Sequence, residues 1–187
     1  MSATLASRRI AILATHGFEQ SELVRPLKEL RADGAQVDVV SLDAGPIRGW
    51  DGGDWGDEVE VTVLLSDAKA EDYDALVLPG GQINPDLLRV EDEALSFVKR
   101  FAHDGKPVAA ICHAPWLLAE TGLTAGRQVT CYQSIRTDLA NAGAQVVDKA
   151  VVVCDRGDFP IITSRNPDDL PAFIDAIRER VEQRAAA

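Results

Sequence analysis

The stretch Pro107-Val108-Ala109-Ala110-Ile111-Cys112-His113-Ala114-Pro115-Trp116-Leu117-Leu118 constrains the chain more than any other. An apolar run too short for a helix stops at a thiol and an imidazole, and a proline then opens a segment of good helix formers. This reads as strand, sharp turn, helix. A nucleophile displayed at such a turn needs small residues two positions before and after it, and Ala110 and Ala114 hold those positions around Cys112. The pattern is a cysteine version of the hydrolase nucleophile elbow. A thiol at a helix N-terminus also meets the positive end of the dipole, which predicts a pKa lowered from about 8.5 into a range of roughly 3.5–7.5. The competing reading is a buried small hydrophobe, the usual role of a cysteine in an apolar run.

The remaining chain supplies a sheet for that elbow. Ile10 to Ala14, Val37 to Leu42 and Ala75 to Leu78 are short apolar runs of the kind buried on both faces of a parallel sheet. Between the first two, Glu19 to Ala32 carries Leu23, Leu27 and Leu30 on one face and stops at Asp33-Gly34, so it predicts a helix, with Pro26 as a kink. Asp43 to Val63 breaks the alternation with repeated glycines and predicts an exposed antiparallel hairpin; Trp50 and Trp55 either staple it or line a pocket or an oligomer contact. Leu87, Leu88, Leu95, Val98 and Phe101 have helical periodicity. Val129 to Cys131, a helix around Ile135 to Ala142, strands over Val146 to Cys154 and Pro160 to Thr163, and a closing helix capped by Asn166 with Pro167 first complete the order. The expected fold is α/β: a flavodoxin-like doubly wound sandwich with a mainly parallel central sheet and helices on both faces. Ligands of such folds bind beyond the carboxyl ends of the strands.

One domain spanning 1–187 accommodates the length, and the net charge of −11 argues against nucleic-acid binding, which needs clustered Lys and Arg. No apolar segment suits a signal peptide or a membrane span, so a cytoplasmic protein is expected. Three cysteines without paired spacing fit a reducing compartment, and Cys131 and Cys154 read as structural. The Cys and His residues never adopt zinc-ligand spacing; no metal and no cofactor is expected.

Ala-Ile-Cys-His-Ala-Pro at the elbow, Leu78-Pro79-Gly80-Gly81 on the strand before it and Gly17-Phe18-Glu19-Gln20-Ser21-Glu22 near the start resemble the ThiJ/PfpI superfamily, whose domain is class I glutamine-amidotransferase-like. The resemblance runs on through Thr163-Ser164-Arg165-Asn166-Pro167-Asp168-Asp169-Leu170, and is greatest to the PfpI branch of intracellular proteases and protein deglycases. It implies that Glu19 bonds the cysteine sulfur and shuttles protons, with Glu22, one turn along, as the competitor. A carboxyl desolvated beside a thiol has its pKa raised and can donate near neutral pH. It implies further that N–H groups at Gly80, Gly81 and after the cysteine form an oxyanion hole, and that His113 pairs with an acid from a neighbouring subunit, here Asp86 after Pro85. The segment from Gly81 to Pro85 is one residue longer than in that pattern, and Asp reaches less far than the Glu of some members. His16, near Glu19 in sequence, is a candidate to border the pocket.

The expected activity is that of a cofactor-independent cysteine hydrolase acting on glycated amines or on methylglyoxal and glyoxal, in a homodimer or higher oligomer. The alternatives are an intracellular cysteine peptidase using Cys112, His113 and Asp86, and a redox sensor or stress-response chaperone in which Cys112 cycles through oxidised acids. A glutamine amidotransferase needs a His-x-Glu downstream of the elbow, and no histidine follows His113.

Overall fold

A computed structural model describes residues 5–185. In chain order the strands and helices are β1 (Arg9–Leu13), β2 (Phe18–Glu19), α1 (Gln20–Ala32), β3 (Gln36–Ser41), β4 (Pro46–Asp51), β5 (Asp54–Glu60), β6 (Val63–Leu64), β7 (Ala75–Leu78), α2 (Ile83–Leu88), α3 (Asp92–His103), β8 (Val108–Ile111), α4 (Pro115–Glu120), β9 (Gln128–Val129), α5 (Arg136–Asn141), β10 (Gln145–Val146), β11 (Val151–Cys154), β12 (Ile161–Ser164) and α6 (Leu170–Ala185). Seven strands form one sheet in the order β11-β12-β8-β7-β1-β3-β6, parallel throughout except for the edge strand β11.

Side chains alternate across that sheet, so each strand feeds two cores. Ile10, Ile12, Val37, Val39, Val77 and Ile111 pack with Leu23 and Leu30 of α1 and Phe173, Ile174 and Ile177 of α6. Ala11, Leu13, Leu76, Leu78, Val108 and Ala110 face the other way, onto Phe97, Val98 and Phe101 of α3 and Leu117 and Leu118 of α4. Helices on both faces of a mainly parallel sheet are the doubly wound α/β arrangement expected from the buried runs. No helix among the described residues is long and apolar enough to cross a membrane.

Three local expectations are corrected. The periodic segment around Leu87 to Phe101 is two helices, because Glu91 is extended (φ −97°, ψ 108°) and re-starts the chain as α3. Val146 to Cys154 is also divided, between β10 beside β9 and β11 on the main sheet. Asn166 caps a short 3-10 turn by accepting from the Asp168 N–H at 3.0 Å, and α6 starts only at Leu170. The hairpin β4–β5 stands where expected, with Trp50 opposite Trp55 and their rings edge to face at 5.6 Å. The two tryptophans therefore staple the arm.

Candidate active site

The loops after β1, β7, β8 and β12 converge at the carboxyl end of the sheet. Cys112 follows β8 with φ +64°, in the left-handed region that costs a non-glycine residue on the order of 1–3 kcal/mol. The conformation is held from both sides. Its N–H donates to the Ser164 carbonyl at 3.0 Å, and its carbonyl accepts from the Tyr132 N–H at 2.9 Å. Ala110 and Ala114 are fully buried, and the Ala114 N–H turns back to the Ile111 carbonyl at 3.0 Å. The elbow read from the sequence is present, with the small residues where the close approach requires them.

Glu22, rather than Glu19, adjoins the thiol. Its side chain is fully buried, Oε2 accepts the Gly80 N–H at 2.8 Å, and Oε1 has no hydrogen-bond partner among the described residues. Burial pushes this carboxyl up to about 8; the Gly80 N–H opposes that rise, Glu19 reinforces it, and the adjacent Cys112 side chain also opposes it. Glu19 lies at the N-terminal boundary of α1, half-buried, and accepts from the Ser21 hydroxyl at 3.3 Å. Burial raises its pKa too, but its further partners are Ser21 and Asp51, not the sulfur. The assignment of Glu19 to the sulfur is thus corrected by one turn of helix.

The glycines after β7 divide their tasks. A Cβ at residue 80 would lie 2.6 Å from Cys112 Cβ, 2.6 Å from Glu22 Oε2 and 2.8 Å from the Ile111 carbonyl oxygen, so only glycine lets these three elements meet. Gly80 gives its N–H to Glu22, which removes it from the expected oxyanion donors. The backbone of Gly81 and of His113 instead adjoins the Cys112 sulfur and acts to lower its pKa. This effect does not prevail. Burial, reinforced by the neighbouring Glu22 charge, holds the thiol well above its ordinary value, opposite to the direction expected from the helix N-terminus.

His113 is buried, with Nδ1 3.2 Å from Cys112 Sγ and Nε2 3.0 Å from the Ser134 hydroxyl. Its ring stacks on Tyr132 at 4.6 Å and meets the edge of Trp116 at 5.3 Å, which fixes its orientation. Burial pushes its pKa down, favouring the neutral ring. Asp86 is exposed on α2, and within this chain the His113 Nε2 pairs with Ser134 and not with Asp86. His16 is exposed, and its Nδ1 accepts the Arg48 N–H at 3.1 Å, so it clamps the hairpin instead of bordering the thiol. Ser134 was missed in the sequence because a serine on a 3-10 turn well downstream of the elbow carries no periodic signal. Glu22 had a legible signal: with Pro26 and Leu30 it occupies the buried stripe of α1, where a carboxylate is out of place.

The chain is similar to known proteins over most of its length. Residues 8–180 match the DJ-1/PfpI family. General stress protein 18 of Bacillus subtilis is 44% identical over 167 residues, covering 89% of this chain and 93% of the relative. Protein/nucleic acid deglycase 2 of Escherichia coli is 41% identical over 170 residues, covering 89% and 94%. Among solved structures, a two-domain Anabaena variabilis protein with DJ-1/ThiJ/PfpI-like and ferritin-like domains superposes with a TM-score of 0.86 at 34% identity, over 94% of this chain and 48% of that one. Because the match extends from the start of the sheet into the last helix and takes in the elbow, both glycines and Glu22, the chain belongs to the DJ-1/PfpI family.

Proposed function

We propose that this protein is a cofactor-independent cysteine hydrolase that acts on methylglyoxal, glyoxal and the amine adducts they form. One observation carries the reading: a fully buried carboxyl, Glu22, is anchored on the Gly80 loop against a thiol held at a strained elbow. A hydrolase role is supported by the name of the deglycase relative. The Cys112 sulfur gives up its proton and adds to the aldehyde carbon, and the resulting oxygen takes a proton to form a hemithioacetal. With a glycated amine the sulfur displaces nitrogen, and the amine leaves protonated. Glu22 then moves a proton from the sulfur-bearing carbon to the adjacent carbonyl carbon while the hydroxyl proton passes to that carbonyl's oxygen, through an enediol, leaving a thioester of the hydroxy acid. Water cleaves the thioester and restores the thiol. For methylglyoxal the sum is addition of one water to give lactate.

A Cys–His dyad is the geometry that favours a second reading, peptide hydrolysis, since Sγ lies 3.2 Å from Nδ1. One comparison separates the two: lactate from methylglyoxal, lactate from glycated amino acids, and cleavage of a fluorogenic peptide. Lactate in either of the first two without peptide cleavage is the expected result. Peptide cleavage alone overturns the proposal.

Cys112→Ser is expected to reduce turnover to background, while Cys131→Ser and Cys154→Ser keep most of it, because only Cys112 occupies the elbow. Lactate formation surviving in the Cys112 variant would exclude the covalent route. The exposed stripe of Ile83, Leu87 and Val90 flanks Asp86 on and just after α2, which supports self-association through this face. We propose a homodimer or higher oligomer in which Asp86 approaches His113 of another subunit. A monomer by analytical ultracentrifugation, or an Asp86→Ala variant with unaltered rate and pH profile, would count against it.

A further inference from the structure

Beside the thiol site is a mostly polar cavity of about 300 Å³ to which the reaction above assigns nothing. Tyr132 borders both: its ring stacks on His113 and also lines the cavity. Two guanidiniums, those of Arg136 and Arg165, line the cavity and share the Asp148 carboxylate. Arg165 is rigidly held, since the buried Asp169 takes its Nε at 2.9 Å and its Nη2 at 3.0 Å. Arg136 is less committed, with Nη2 on Asp148 at 2.9 Å and Nε without a partner. Between them Asp148, 57% exposed, offers one oxygen to each arginine. Counted together, Arg136, Arg165, Asp148 and Asp169 have no net charge, so a simple anion would unbalance the cluster, whereas a zwitterion with one carboxylate and one ammonium would not.

We propose that this cavity is a subsite for the α-amino-α-carboxylate head group of a free amino acid, whose modified side chain is presented past Tyr132 to Cys112. The carboxylate takes donors from Arg136 and Arg165, bidentate geometry that guanidinium suits. The ammonium lies against Asp148. The inference rests on the proposed hydrolase reading and sharpens it: the amine substrates are glycated free amino acids, with protein side chains disfavoured.

The test uses methylglyoxal-treated L-arginine, its α-amide and its Nα-acetyl derivative, with methylglyoxal alone as the substrate that has no head group. In the native protein kcat/KM for the free amino acid is expected to exceed that for the amide by roughly 10-fold, the scale of one charge-assisted hydrogen bond. Arg136→Gln should bring that ratio close to one through KM. Asp148→Asn should do the same for the acetyl comparison. Equal rates on acid and amide in the native protein, or a ratio that survives Arg136→Gln, would overturn the subsite. Should the native protein turn over none of these compounds, the hydrolase reading fails separately. Calorimetric binding of L-arginine against L-arginine amide then decides the subsite, with equal binding counting against it.

Discussion

Glu22→Gln is expected to lower kcat by roughly 10²–10⁴-fold, the usual contribution of a positioned acid–base group, while Glu19→Gln stays within a few-fold of the native rate. Glutamine keeps the acceptor for the Gly80 N–H, so the loop that abuts Cys112 retains its anchor. What it cannot do is release and recover a proton. Glu19 has the same chemistry but a different address, bonded to Ser21 at the edge of α1 and facing Asp51 of the hairpin. Steady-state rates of lactate formation on the three proteins decide the matter. A collapse in Glu19→Gln with Glu22→Gln unaffected would return the relay to Glu19 and separate proton transfer from the contact with the sulfur.

The error of one helical turn shows where sequence reasoning reached its limit. Strands were legible because parallel strands buried on both faces must be apolar at nearly every position, as Ala75 to Leu78 and Val108 to Ile111 are. The elbow was legible because its sterics demand Ala110 and Ala114. Choosing between two glutamates required knowing which face of α1 meets the sheet, and a motif resemblance does not carry rotation. The apolar stripe does. Glu22, Pro26 and Leu30 recur every fourth residue and are all buried, while Glu19 lies at the helix boundary.

The direction of the thiol shift failed for a reason of magnitude. A helix N-terminus contributes about 0.3–1 kcal/mol, rising to about 2 in buried geometry. Desolvation of a fully buried group can change its proton affinity by roughly three to five powers of ten, each worth about 1.36 kcal/mol. Cys112 is only 6% exposed and α4 behind it has six residues, so burial outweighs the dipole. The reactive thiolate is then favoured only by the N–H groups of Gly81 and His113, against burial and the Glu22 charge. Neither could be ranked against burial before the fold was known.

The same burial has a thermodynamic cost that a neutral isostere should relieve. Glu22 has an ordinary value of 4.5 and is pushed up to about 8 in the folded protein. Native protein therefore binds more protons than unfolded chain between these values, and the stability associated with the protonated carboxyl is full below about 4.5 and is lost as pH rises through about 8. Glu22→Gln does not titrate, so its stability relative to the native protein should climb across that window by on the order of 4 kcal/mol, at about 1.36 kcal/mol for each tenfold difference in proton affinity between the folded and unfolded states. In a chain of 187 residues this corresponds to roughly 10 °C in Tm near pH 8, with little difference near pH 4.5. Other shifted groups such as Asp104 and Arg165 are common to both proteins and cancel in the comparison. Paired thermal melts between pH 5 and pH 8 measure the gap directly. Parallel curves would mean that Glu22 ionises in the native state at an ordinary pH, which would remove the proton reservoir on which the proposed relay depends; a widening gap, together with the lost turnover, would show that the fold gives up stability to keep an acid at its thiol.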